Sequence, residues 1–156
     1  MDKHNNFDVM LLNAGHPITV LIGGDKIKEQ LDVIESIASG VDNILVAGAL
    51  IAPFAKAKAM NVGNSKVCDG CVSKAKDILA KFDGKICMPV DCYVADKEAN
   101  DSNIEHVKID EIPDGRFIMD IGVKTVDIFA EKIEGAKTFV WNGTLGWPSP
   151  PARSVA

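Results

Sequence analysis

Apolar positions fall along this chain in two alternating patterns. Short runs rich in Val, Ile and Leu, without polar alternation, occupy residues 19–22, 43–46, 85–90 and 137–141. Runs of this kind predict parallel strands covered on both faces. Between them the apolar positions recur at helical spacing. In residues 26–39 they are Ile27, Leu31, Ile34 and Ile37 or Ala38, with Gly40 placed to end the helix. Residues 72–82 carry a second stripe of Val72, Ala75, Ile78, Leu79 and Phe82, and residues 124–134 a third of Val126, Phe129, Ala130 and Ile133, ended by Gly135. A shorter helix is expected over 51–60, with Pro53 confining its start to that neighbourhood.

Strand and helix therefore alternate, which predicts an α/β fold of Rossmann-like type: a mostly parallel sheet with helices on both faces. Residues 96–115 break the rhythm. They are polar, contain Asn100-Asp101-Ser102 and Pro113-Asp114-Gly115, and leave room for one short β excursion near 104–109. Pro148, Pro150 and Pro151 remove backbone donors near the end of the chain. The expected organisation is an N-terminal extension or partial helix at 1–16, an α/β body at 17–146 and a proline-rich tail at 147–156.

The 156 residues suit one domain, and a composition of 47% hydrophobic and 25% charged residues is ordinary for a globular protein. A formal charge of −5 argues against broad nucleic-acid binding, which needs a basic face. Anions would have to be held locally, by backbone N–H groups and a few placed lysines. No apolar run approaches the roughly 18 residues of a membrane span, and residues 1–6 lack the apolar core of a signal peptide. The expectation is a cytoplasmic protein with its four cysteines mostly reduced and buried.

In an open parallel sheet, ligands bind outside the carboxyl ends of the strands. The first predicted strand runs into Gly23-Gly24-Asp25-Lys26 and a helix. Glycines let backbone approach a ligand, the helix N-terminus supplies free N–H groups, and Lys26 adds a full charge. The second strand ends in Ala47-Gly48-Ala49, small enough to leave room for a flat ring. The third ends in Pro89-Val90-Asp91 and the fourth in Trp141-Asn142-Gly143. Each has a plainer reading: a Gly-Gly turn is usually only a turn, Asp91 a cap, and Trp141 a core residue.

Taken in order, these segments resemble phosphoglycerate kinase. The likeness runs from Val20-Leu21-Ile22-Gly23-Gly24-Asp25-Lys26 through Val41–Ala49, Met88-Pro89-Val90-Asp91 and Val94-Ala95-Asp96-Lys97. It continues with Asp110–Gly115, Asp120-Ile121-Gly122 with Lys124-Thr125, and Val140-Trp141-Asn142-Gly143. The resemblance implies the first part of the C-terminal, nucleotide-binding lobe, which takes Mg-ADP or Mg-ATP in phosphoryl transfer between 1,3-bisphosphoglycerate and ADP. By that resemblance, the lobe carrying the 3-phosphoglycerate site and the glycine-rich segment with the principal metal-site aspartate are expected to fall outside the 156 residues. By the same resemblance Lys26 matches the lysine on the transferred phosphoryl group, and Gly23 and Gly24 the turn beside the phosphates. Gly48 and Ala49 match small residues against adenine, Met119 an apolar contact on its other side, and Asn142 an asparagine near the phosphates.

Departures from the family pattern bear on the same site. Asp25 stands where alanine is common, Gln30 where a second phosphate-binding lysine is expected, Ile118 where glycine is frequent, and Thr144 where proline follows Asn-Gly. Two functions follow as expectations. One is a kinase lobe that works with the missing parts and is inactive alone. The other is a non-catalytic remnant or weak adenine-nucleotide module. A strand at 137–141 without an outer neighbour would leave an exposed sheet edge and invite self-association. The sequence Cys68-Asp69-Gly70-Cys71 also fits a metal or redox CxxC, but Cys87 and Cys92 are spaced poorly for a zinc ribbon, and no metal site is assigned. His4, His16 and His106 fall in expected loops and receive no role.

Overall fold

A computed structural model describes residues 15–24, 26–68, 70–97 and 103–142. The N-terminal extension, Asp25, Thr144 and the proline-rich tail lie outside those residues. Four parallel strands form the first sheet: β1 (Ile18–Ile22), β2 (Asn43–Val46), β3 (Ile86–Cys87) and a last strand, Thr138–Asn142, in the order β3, β2, β1, last. Every residue of β1 is buried, as a central strand covered on both faces requires. Helices α1 (Ile27–Ile37), α2 (Ile51–Ala57) and α3 (Cys71–Phe82) connect these strands. Leu31, Ile34, Leu50, Phe54, Ala75 and Ile78 join the strands in one apolar core.

The helix expected over 51–60 ends at Ala57. Pro53 falls in its first turn, where the missing N–H would have no intrahelical partner. Ala59 then adopts φ 64 while the Met60 N–H donates to the Ala55 carbonyl at 3.0 Å. That left-handed turn closes the helix, but an L-residue there pays a steric cost. The Ala59→Gly substitution is expected to raise stability by about 0.5–1 kcal/mol, net of the larger unfolded-state freedom of glycine, in a urea melt.

The expected strand over 85–90 is much shorter, Ile86–Cys87, because Pro89 cannot donate to a ladder. Asp91 does not end it. It opens β4 (Asp91–Ala95), the centre of a second, antiparallel sheet with β5 (Ile104–Lys108) and β6 (Phe117–Ile121). Only β5 was anticipated. His106 therefore lies in a strand and not a loop. Helix α4 (Val123–Glu134) follows β6 and leads to β7, the Thr138–Asn142 strand. Among the described residues β7 is the outer strand, and Phe139 and Trp141 are 40% and 42% exposed. The core reading of Trp141 is thereby corrected: an outer strand covers only part of so large a ring.

The second sheet is fastened by one carboxylate. Asp91 is almost fully buried and accepts from the Lys124 N–H at 3.0 Å and the Thr125 N–H at 2.9 Å, capping α4. It also receives the Thr125 hydroxyl at 2.5 Å and contacts His106 Nε2 at 2.5 Å. Its own carbonyl accepts from Gly122 N–H at 3.0 Å. Gly122 passes so close that any Cβ there would collide with the Asp91 carboxylate. Burial opposes ionisation of Asp91, but the Thr125 hydroxyl, His106 and the two backbone donors outweigh it and hold the carboxyl below its ordinary 3.8. A depressed folded-state pKa stabilises above the unfolded value and is lost as pH falls through the folded one. Asp91→Asn is therefore expected to lower stability by roughly 2–4 kcal/mol at neutral pH. Its deficit should shrink in urea melts taken below pH 3.8.

The cysteines also depart from expectation. Cys68 and Cys71 form a disulfide, with Cα atoms 5.3 Å apart, while Cys87 and Cys92 are free. The turn through Gly70, with the Cys71 N–H donating to the Cys68 carbonyl at 3.1 Å, brings the pair together. Cys92 is fully buried in β4, and burial pushes its thiol up to about 12.

Candidate functional site

In the first sheet β1 lies between β2, the next strand in the chain, and β7, the last. Connections leave β1 in opposite directions there, and the crevice at such a point is the preferred ligand position. The carboxyl end of β1 continues into Gly23 and Gly24. Gly24 has φ 99, a conformation that a side chain would strain. Lys26 follows, exposed, at the N-cap of α1, and no side chain among the described residues caps that helix. Free N–H groups and an ammonium group are thus presented together, a combination suited to an anion.

Two hydrogen bonds tie the neighbouring strand end to this turn. Ala47 N–H donates to the Ile22 carbonyl and Ala49 N–H to the Gly24 carbonyl, both at 2.9 Å. Gly48 and Ala49, half-buried, are therefore held directly beside the glycine turn. Strand β6, which carries Ile118 and Met119, lies against the Gly48–Leu50 turn. Met119 is nearly buried and Ile118 half-buried. On the other side, β7 pairs Asn142 with Ile22, so its backbone ends level with Gly23.

Gly23, Gly24, Lys26, Gly48, Ala49 and the backbone of Asn142 are thus grouped at one end of the sheet, and β6, the strand of Ile118 and Met119, packs against the Gly48–Leu50 turn. Gln30 has a local task. It is buried and its amide donates to the Gly23 carbonyl at 2.9 Å, one helical turn back onto the loop. Ile118 is also engaged: it packs on the core, and its N–H donates to the Ser65 hydroxyl at 2.9 Å. Ser65 escaped the sequence reading, because it joins β6 from 53 residues away and no local pattern marks it. Asp91, read as a strand-end group, faces α4 and is used as its cap. Removing the buried Gln30 amide with Gln30→Leu is expected to free the Gly23 carbonyl and cost about 1–2 kcal/mol. Amide hydrogen exchange at Gly24 and Lys26 should accelerate with it.

Fold and strand-end geometry together define a Rossmann-like α/β protein with a glycine turn, a lysine and small residues at its switch point. The family model for phosphoglycerate kinase matches residues 2–152, and the chain belongs to that family. It is 42% identical over 134 residues to phosphoglycerate kinase of Fusobacterium nucleatum, covering 86% of this chain and 34% of that protein. The enzyme of a Picosynechococcus species is 39% identical over 130 residues, covering 83% of this chain and 33% of the relative. The chain thus spans about a third of the length of these curated relatives. Among solved structures, Coxiella burnetii phosphoglycerate kinase superposes with a TM-score of 0.80 at 26% identity, over 91% of this chain and 39% of that one. The Pyrococcus horikoshii enzyme gives 0.73 at 25% identity, over 90% and 38%.

Proposed function

We propose that this chain supplies part of the adenine-nucleotide site of a phosphoglycerate kinase and is inactive by itself. The observation that carries the reading is the hydrogen bond between Ala49 and Gly24, which joins the glycine turn to the small-residue turn. In this reading the N-terminus of α1 and Lys26 hold the phosphates of ADP or ATP. Gly48 and Ala49 leave space for adenine on one side, and Met119 closes the other. Phosphoryl transfer between the nucleotide and 1,3-bisphosphoglycerate depends on orientation and charge neutralisation. Both need a second lobe, and the matched segment makes up only 34% of the Fusobacterium nucleatum relative.

The described residues contain no cluster of three His, Cys, Asp or Glu side chains that could hold a metal. Mg²⁺ needs no such cluster, because it keeps several waters and is commonly held by one or two carboxylates together with substrate phosphates. Metal would enter with the nucleotide phosphates. The tie of Gln30 to Gly23 and the packing of Ile118 favour a weakened site, because neither group is left free for a ligand.

Isothermal titration with Mg-ADP tests this reading. Saturable binding with a Kd on the order of 1 mM or tighter is expected, and Lys26→Ala should weaken it about 10-fold. Absence of heat at ~10 mM nucleotide would remove the nucleotide site and leave a non-catalytic remnant. A coupled assay with 1,3-bisphosphoglycerate should yield no ATP from the chain alone. Measurable turnover would overturn the view that it is an incomplete enzyme.

A further inference from the structure

A cavity of about 590 Å³ opens between the link from β3 to β4, the end of β5 and the start of α4, and none of the nucleotide-site candidates lines it. Its size is within the range of small-molecule pockets. Three lysines reach it from three separate elements: Lys58 just beyond α2, Lys108 at the end of β5 and Lys124 in the first turn of α4. All three are exposed and form no ion pair among the described residues. His106 joins them, its Nε2 held by Asp91. Met88, Pro89 and Val90 supply an apolar wall, and Val90 is 43% exposed there.

Two carboxylates also line the cavity, Asp91 and Asp110. Asp91 is committed to the Lys124 and Thr125 N–H groups, the Thr125 hydroxyl and His106. Its charge is therefore balanced in place, and the positive end of α4 is already used. What remains is a surplus of ammonium groups over the single free carboxylate of Asp110, beside an apolar wall. Lysines act as point charges that suit a phosphate, whereas a planar carboxylate is better matched by the arginine fork, which the cavity lacks.

We propose that this cavity binds a small organic phosphate, its phosphoryl group among Lys58, Lys108 and Lys124 and its apolar body against Met88, Pro89 and Val90. The site is separate from the nucleotide half-site and does not rest on it. Phenyl phosphate is the probe, titrated into the ¹⁵N-labelled full chain and followed by amide shifts. Expected are saturable shifts at Val90, His106 and Lys124 with a Kd on the order of 1 mM. The exposed pair K108Q/K124Q should raise that Kd at least ~10-fold with an unchanged melting curve, while Lys26→Ala should leave it unaltered. Inorganic phosphate should bind several-fold more weakly, since it has no apolar body. The proposal fails if nothing saturates by ~10 mM, or if K108Q/K124Q binds as tightly as the parent. It fails equally if the shifts centre on Gly24 and vanish with Lys26→Ala, or if inorganic phosphate binds as well as phenyl phosphate.

Discussion

The Asp91 carboxylate is the constraint on which the junction of the second sheet with α4 depends. It begins β4 three residues after Met88, yet its oxygens cap a helix 33 and 34 residues further on. Its carbonyl fixes Gly122, the residue between β6 and α4. A buried carboxylate is costly unless its lone pairs are met by donors. Here two backbone N–H groups, a hydroxyl and an imidazole meet them. The geometry is strict enough to exclude a side chain at Gly122.

That junction matters for the candidate site because the site draws on both sheets. The parallel sheet presents Gly23, Gly24, Lys26, Gly48 and Ala49, whereas Ile118 and Met119 come from β6. Asp91 fixes the carboxyl end of β6 through Gly122, and Ser65 fixes the Ile118 end through its hydroxyl. Met119 therefore lies in a strand that is anchored on both sides of it. A strand held at both ends loses little further conformational entropy when a ligand binds beside it.

The parallel half of the fold was legible in the sequence, since strands such as Ile18–Ile22 are buried on both faces and read as uninterrupted apolar runs. The helical stripes were legible for a related reason: Leu31 and Ile34 in α1, like Ala75 and Ile78 in α3, face one core. The antiparallel half was hidden. Its strands contain Asp91 and Asp120, both buried, and a register shift between Tyr93 and Val94 interrupts the alternation. Asp91 could be read as a cap, but nothing local names a helix more than thirty residues away as the one it caps. The glycine turn and Lys26 could be placed at a strand end from sequence. The engagement of Gln30 with Gly23 could not, because a glutamine at helical spacing carries no mark of which way its amide turns.

The two helix N-termini that follow β1 and β6 are treated in opposite ways, and the difference separates structural from ligand-facing positive ends. At α4 the first N–H groups are consumed by a buried internal carboxylate. At α1 no side chain among the described residues takes that place, and Lys26 stands exposed at the cap. Both helices carry the same partial charge at their start, so the macrodipole alone does not distinguish them. What distinguishes them is whether the fold already holds an anion there. In a chain with formal charge −5, a helix start at a switch point that no described side chain caps is a local exception, even with Glu29 in its first turn. It is the feature that makes α1, and not α4, the end open to an external anion.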